Sequence, residues 1–255
     1  MKLRLRDRLL WGLVIGGDIL DQVVGGGSRA YHSGKLFIWT PSRYAKKKYR
    51  DLVSRIDREG YVQRVLVDGK VHFRITGAGR RKLISLYPVL EKSGEKWDGF
   101  WRIVVFDIPE KRRRSRDILR RQLKMLGFGR LQNSTYISPH DFGKKFLDFL
   151  QAKGLLSGVL LMEAKQKYLG DPGQVANKVW KLEELGKRYQ AVIDRLGTRF
   201  GIKDKQRREE FLKKVYQGYL KVLMDDPFLP KELLPKSWTG DKARKYILRA
   251  GVVKE

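Results

Sequence analysis

Apolar residues return at helical spacing over residues 5–22, where Leu9, Leu13 and Leu20 stand in a polar remainder and the glycine-rich Val24-Gly25-Gly26-Gly27-Ser28 closes the segment. The pattern predicts an amphipathic first helix. A second helix is predicted to start at Thr40-Pro41, because the threonine side chain can accept from free backbone N–H groups and proline suits the first helical position. Ala45, Tyr49, Leu52 and Ile56 follow at steps of four, three and four and form its buried stripe, with Arg43, Lys47, Arg50 and Ser54 on the opposite side. Beyond Glu59-Gly60, residues 61–67 and the alternation of Val71, Phe73 and Ile75 with Lys70, His72 and Arg74 predict two strands joined at Asp68-Gly69 in a two-residue hairpin.

A basic helix followed directly by a hairpin with outward cations predicts a winged helix over residues 1–90. In that arrangement the helix enters the major groove and the wing touches the backbone. The candidate contacts are Arg43, Lys46, Lys47 and Arg50 on the helix and Lys70, His72 and Arg74 on the wing. The same pattern also fits a small α+β domain whose basic face is merely solvated. Between Gly25 and Trp39 the short helix that usually precedes a recognition helix is poorly visible.

Residues 91–99, charged and glycine-containing, read as a linker. The apolar run from Trp101 to Phe106 predicts a strand, ending in Asp107-Ile108-Pro109-Glu110, and a helix follows over residues 112–126. Its Leu119, Leu123 and Leu126 face inward, and Arg113, Arg116, Arg120 and Lys124 make a cationic ridge, a second candidate for phosphate contact. A strand over 131–138, a helix over 141–153 and a strand over 158–163 complete a β-α-β-α-β order, which predicts a ferredoxin-like sandwich over residues 98–165. From 174 to 200, Val175, Val179, Leu182, Tyr189, Ile193 and Leu196 recur at nearly heptad spacing, and residues 205–224 form another amphipathic segment. Residues 172–255 are therefore predicted to be a mainly helical domain. Its seam serves either packing within the chain or pairing of two copies. The expected class is α+β.

A net charge of +28 changes the picture most, since so much excess cation repels itself unless a polyanion neutralises it. The excess runs about +12 before Ser93, +7 from Ser93 to Lys165 and +9 beyond, so it describes a dispersed basic surface rather than a tail. DNA is the first partner this implies and RNA the alternative; solubility, or adaptation to salt or heat, would leave the same composition. With no cysteine in the sequence, disulfides, thiolate metal sites and Cys nucleophiles are excluded. Lys2, Arg4, Arg6 and Arg8 ahead of an apolar run imitate a secretion signal, but Asp7 and Asp18 interrupt it and no small-x-small site follows. No stretch approaches the ~20 apolar residues of a membrane span, so a cytoplasmic protein without membrane association is expected.

The run Trp101-Arg102-Ile103-Val104-Val105-Phe106-Asp107-Ile108-Pro109-Glu110, the arginine-rich helix after it and Leu126-Gly127-Phe128-Gly129 resemble the central domain of the phenylacetic acid degradation repressor (PaaX) family. That domain is itself similar to the small ferredoxin-like nuclease subunit of CRISPR adaptation. Asp226-Pro227-Phe228-Leu229-Pro230-Lys231-Glu232-Leu233-Leu234-Pro235, then Trp238, Gly240 and Ala243-Arg244, is similar to the family's C-terminal pattern. The resemblance implies a winged-helix DNA-binding regulator, repressor-like and homodimeric, released by an acyl-CoA effector. No acyl-CoA pocket is legible in the residues, and the phenylacetate role is not carried over.

Catalytic candidates are sparse. Asp107 ends a strand and matches the metal-binding aspartate of the CRISPR-type nuclease, where aspartates of two subunits meet around a divalent cation that activates water. A structural part is the competing reading, in which its carboxylate accepts N–H bonds from the next helix or pairs with Arg112 or Arg113. Ser134, Ser138 and His140 offer nucleophile and base types without an orienting acid. His32 and His72 lack acidic neighbours at ligand spacing. Gly25-Gly26-Gly27 and Gly77-Ala78-Gly79 carry no phosphate-loop or dinucleotide signature and read as turns. Trp97, Trp101 and Trp238 fit core or interface packing better than base stacking. A non-enzymatic protein with no cofactor and no bound metal is expected, with a metal-dependent nuclease or an RNA-binding protein as alternatives.

Overall fold

The computed structural model describes residues 4–16, 31–32, 40, 46–67, 69–165 and 170–252. The chain divides into two compact units, each assembled from separate segments: Met1–Ser85 with Glu184–Asp226 and Ser237–Glu255, and Leu86–Glu183 with Pro227–Lys236.

The first unit begins with helix α1, Leu5–Gly16. Leu9, Leu10, Trp11 and Leu13 are all at most 2% exposed, and Asp7 and Val14 are also buried, so the helix is enclosed on every side and is not the amphipathic element its leucine spacing predicts. It packs on the hairpin strand Lys70–Ile75 and on the last helix α9, Gly240–Val252. Residues 17–22, Gly25-Gly26-Gly27, Pro41, Arg43 and Ala45 lie outside the described residues.

A short strand β1, Tyr31–His32, helix α2, Lys46–Arg58, and strands β2, Val62–Val67, and β3, Lys70–Ile75, follow. The sheet is antiparallel in the order β1-β3-β2, and β2 and β3 pair without a bulge from Val62 opposite Ile75 to Val67 opposite Lys70. Gly69 sits in the turn at φ 69°, a conformation glycine adopts without penalty. Phe73 and Ile75 are buried while Val71 is 44% exposed, so the predicted alternation faces the core at its two inner positions.

Gly77-Ala78-Gly79 opens a helix, α3, Gly77–Leu86, where the sequence reading expects a turn. The hydroxyl of Thr76 accepts from Gly79 N at 3.1 Å, the bond of an N-capping residue. Gly79 is needed because a Cβ there would stand 2.1 Å from the Tyr61 carbonyl oxygen. Close packing against backbone thus overrides glycine's low helix propensity.

The near-heptad run from 174 to 200 is broken at Lys181, which adopts a left-handed φ of 52°, between α6, Pro172–Trp180, and α7, Leu182–Gly197. In the first unit α7 buries Leu185, Tyr189, Ile193 and Leu196. Helix α8, Lys205–Leu223, contributes Tyr216, Tyr219 and Leu220, and Tyr216 donates to the Ile247 carbonyl of α9 at 3.3 Å. Tyr189 donates to the Asp226 carboxylate at 2.7 Å and meets the Trp238 ring edge-on at 5.5 Å. The seam on α7 is thus consumed in the chain's own core.

The second unit holds β4, Phe100–Phe106, α4, Arg113–Met125, β5, Gly129–Gln132, β6, Thr135–Ser138, α5, Gly143–Ala152, and β7, Val159–Lys165. The segment expected as one strand over 131–138 is a hairpin, turning at Asn133-Ser134, so the order is β-α-β-β-α-β. All pairings are antiparallel, in the order β5-β6-β4-β7. Val104 and Phe106 of β4, Leu119 and Leu123 of α4, and Phe146 and Leu150 of α5 share one buried cluster. On Trp101, fully buried, the Trp180 ring stacks at 6.2 Å and Trp97 tilts at 5.1 Å, which is packing rather than a free stacking platform.

Candidate nucleic-acid interface

Helix α2 separates its faces cleanly. Tyr49, Leu52, Val53 and Ile56 are at most 7% exposed, whereas Lys47, Arg50 and Ser54 are exposed. An amphipathic helix is stable only with that stripe against the core, so burial of the four apolar residues fixes which side the cations take. Lys48 and Arg55 are exposed as well. Lys46 begins the helix, and Arg43 falls outside the described residues.

The helix is tied to the hairpin by Arg64 of β2, whose Nε donates to the Asp57 carboxylate at 2.8 Å. Both groups are partly solvated, so the pair positions more than it stabilises. On β3, Lys70 opens the strand opposite Val67, and His72 and Arg74 are half-buried. His72 is also the register partner of His32 in β1, which brings together two histidines that look isolated in sequence. Lys46, Lys47, Arg50, Lys70, His72 and Arg74 therefore belong to one unit, with helix and hairpin adjacent. Arg113, Arg116, Arg120 and Lys124 stand on α4 of the other.

The catalytic candidates do not converge. Asp107 is exposed at the end of β4, where its backbone N–H donates to the Gly158 carbonyl at 3.0 Å. Pro109 and Arg112 occupy the N-cap positions of the turn Glu110–Arg112 and of α4, neither with a side-chain cap, and the ion pair there joins Glu110 to Arg116 at 2.6 Å. Among the described residues no three His, Asp or Glu side chains gather as a metal site. Ser134 lies on the hairpin turn and is exposed, whereas Ser138 is fully buried and accepts from the backbone N–H of His140 at 3.1 Å. The His140 ring turns elsewhere, its Nε2–H donating to the Phe228 carbonyl at 3.0 Å. Burial pushes the imidazole pKa down to about 4, so the ring is neutral near pH 7.

Arg102, which the sequence gives no separate role, fastens several segments of the second unit together. Its guanidinium forks onto Asp98 at 2.9 and 2.6 Å, reaches Glu163 of β7 at 2.9 Å and donates to the Pro139 carbonyl at 3.2 Å. The hydrogen bond from Arg102 holds the Asp98 carboxyl below its usual range. A basic residue inside an apolar strand was the available signal, but its partners lie as far as 61 positions away.

Among the described residues no helix is long and apolar enough to cross a membrane. Residues 94–176 match the family described as the PaaX protein central Cas2-like domain, and residues 180–251 match the PaaX-like protein C-terminal domain. The chain is 21% identical over 254 residues to the transcriptional repressor PaaX of Escherichia coli (strain K12), covering 92% of this chain and 79% of that one. Among solved structures it is similar to the uncharacterized protein Rv0674 from Mycobacterium tuberculosis, at 18% identity and a TM-score of 0.53, over 91% of this chain and 92% of the other.

Proposed function

The chain belongs to the PaaX family of regulators, and from that premise we propose that it is a repressor-like transcriptional regulator that binds DNA through a winged helix in its first unit. The observation that carries the reading is the exposed row Lys47 and Arg50 on α2, backed by a buried stripe and followed at once by the β2–β3 hairpin. Sheet order β1-β3-β2 with α2 inserted between β1 and β2 supports the winged-helix assignment. In the second unit, the order β-α-β-β-α-β with β4 between β6 and β7 supports a ferredoxin-like sandwich.

In this reading α2 enters the major groove and the hairpin cations meet the flanking backbone. Phosphate neutralisation dominates the affinity, and Arg43, Lys46, Lys47, Arg50, Lys70, His72 and Arg74 supply it. A cytoplasmic homodimer answering to an acyl-CoA-like effector completes the proposal on family likeness alone.

The test is the salt dependence of binding by the full chain to duplex DNA. Affinity should fall linearly on a log–log plot, by about 0.9 per phosphate contact, and Lys47→Gln with Arg50→Gln should flatten that slope. Affinity unchanged between about 50 and 200 mM salt refutes the proposal, since several contacts require a loss of roughly a thousandfold.

A further inference from the structure

Helix α4 concentrates charge that the reading above does not use. From Glu110 to Met125 eight lysines and arginines stand against two acids, Glu110 and Asp117. Leu119 and Leu123 anchor the helix in the core. Arg113 and Lys124 are exposed at the ends of the ridge, and Arg116 and Arg120 lie half-buried between them. Arg121 is exposed alongside. Arg116 is paired with Glu110, and no acidic residue stands in the first turn.

This arrangement works against the helix that carries it. Arg112, Arg116, Arg120 and Lys124 succeed one another at four-residue steps, where like charges are neighbours and destabilise. Lys111 to Arg116 crowd the end at which the helix dipole is already positive and acids are favoured. An external anion relieves both costs at once.

The ridge itself indicates which anion. Six of the eight cations are arginines, whose planar forks match pairs of phosphate oxygens. The twelve residues from Arg113 to Lys124 span roughly 16 Å of helix, long enough to lie along several phosphates of a duplex that presents one charge per ~1.7 Å. No aromatic residue occurs from Glu110 to Met125, so the ridge has no platform for the unpaired bases that single strands present.

We propose that α4 is a second phosphate-contact surface for duplex DNA, independent of base sequence and carried by the second unit rather than by the one that holds α2 and the β2–β3 hairpin. The proposal rests on the reading that the chain binds DNA, and it adds Arg112, Arg114 and Arg121 to the contact set.

The experiment titrates labelled mixed-sequence duplex DNA with three full-length proteins between about 50 and 200 mM salt: the wild type, Arg113→Gln/Arg120→Gln/Arg121→Gln, and Lys47→Gln/Arg50→Gln. Losing three contacts should make the log–log slope shallower by about 2.7 in the first variant, against about 1.8 for the two in the second. The ridge variant should keep the wild-type circular-dichroism spectrum, and a fourth protein, Arg113→Lys/Arg120→Lys/Arg121→Lys, which keeps the three charges, should keep the wild-type slope.

A wild-type slope in the ridge variant, with Lys47→Gln/Arg50→Gln weakened, overturns the second surface and leaves the regulator reading intact. A slope lost only in the ridge variant upholds α4 and overturns α2 as the reading head. Tighter binding to duplex RNA of the same length overturns DNA as the partner of α4. A wild type that binds neither duplex overturns both proposals.

Discussion

His140 makes the stability of the second unit sensitive to mild acid. Its imidazole is 3% exposed and held against the Phe228 carbonyl, and burial takes its pKa from 6.5 down to about 4. Above pH 6.5 the ring is neutral in both folded and unfolded chains and contributes no pH dependence. Between pH 6.5 and 4 the unfolded chain binds a proton that the folded chain refuses, so stability falls as the pH falls. The loss is about 2 kcal/mol at pH 5 and about 3 kcal/mol at pH 4, where it begins to level off.

The assay compares the wild type with His140→Gln, whose amide can still donate to Phe228 but does not titrate. Denaturant unfolding followed through the tryptophans at pH 7.5, 6 and 5 cancels the carboxylates common to both proteins. The gap between them should shift by about 2 kcal/mol in favour of the variant between pH 7.5 and 5. Proton NMR of the ring supplies the direct reading. A gap that does not move, or an imidazole that titrates near 6.5, refutes the reasoning.

Gly79→Ala should lower the thermal midpoint, because the new Cβ would stand 2.1 Å from the Tyr61 carbonyl and 2.8 Å from Ile75; overpacking of this kind costs ~1–3 kcal/mol. Gly129→Ala places a Cβ 2.2 Å from Val179 and 2.6 Å from Trp180, so a similar loss is expected, together with a shift in tryptophan emission; an unchanged melt and spectrum would show that α6 does not press on β5. Tyr189→Phe removes the donor to Asp226 and should cost about 1–2 kcal/mol in urea unfolding. Because burial raises the Tyr189 pKa well above 10, the wild-type phenol should also resist ionisation in an alkaline absorbance titration.

The elements most legible in the sequence were those whose pattern is local. The stripe Tyr49, Leu52 and Ile56 with Lys47 and Arg50 opposite, the two-residue hairpin at Asp68-Gly69, and Leu119 and Leu123 beneath the arginines all follow from one period or one turn signal. The same locality exposed the candidate interface, because cations opposite a buried stripe must face outward. The composition supplied the excess positive charge but could not tell a surface held by acids from one left without them.

What reversed or completed that reading came from contacts between residues distant in sequence. Three leucines at helical spacing look amphipathic, yet α1 is enclosed on all sides because a sheet strand and a helix more than two hundred residues later pack on it. Gly77-Ala78-Gly79 looks like a turn until the Tyr61 carbonyl leaves no room for any other residue in a helix there. A near-heptad seam reads alike whether it binds another copy or its own chain, and only the burial of Tyr189, Ile193 and Leu196 decides. The sequence by itself determined the elements written in one local period or turn signal, such as α2, the β2–β3 hairpin and α4, and where the cations stand on them. The tertiary structure decided which faces close, that Arg102 and His140 serve as fastenings, and how separated segments join into two units, because each depends on surfaces that meet only after the chain has folded.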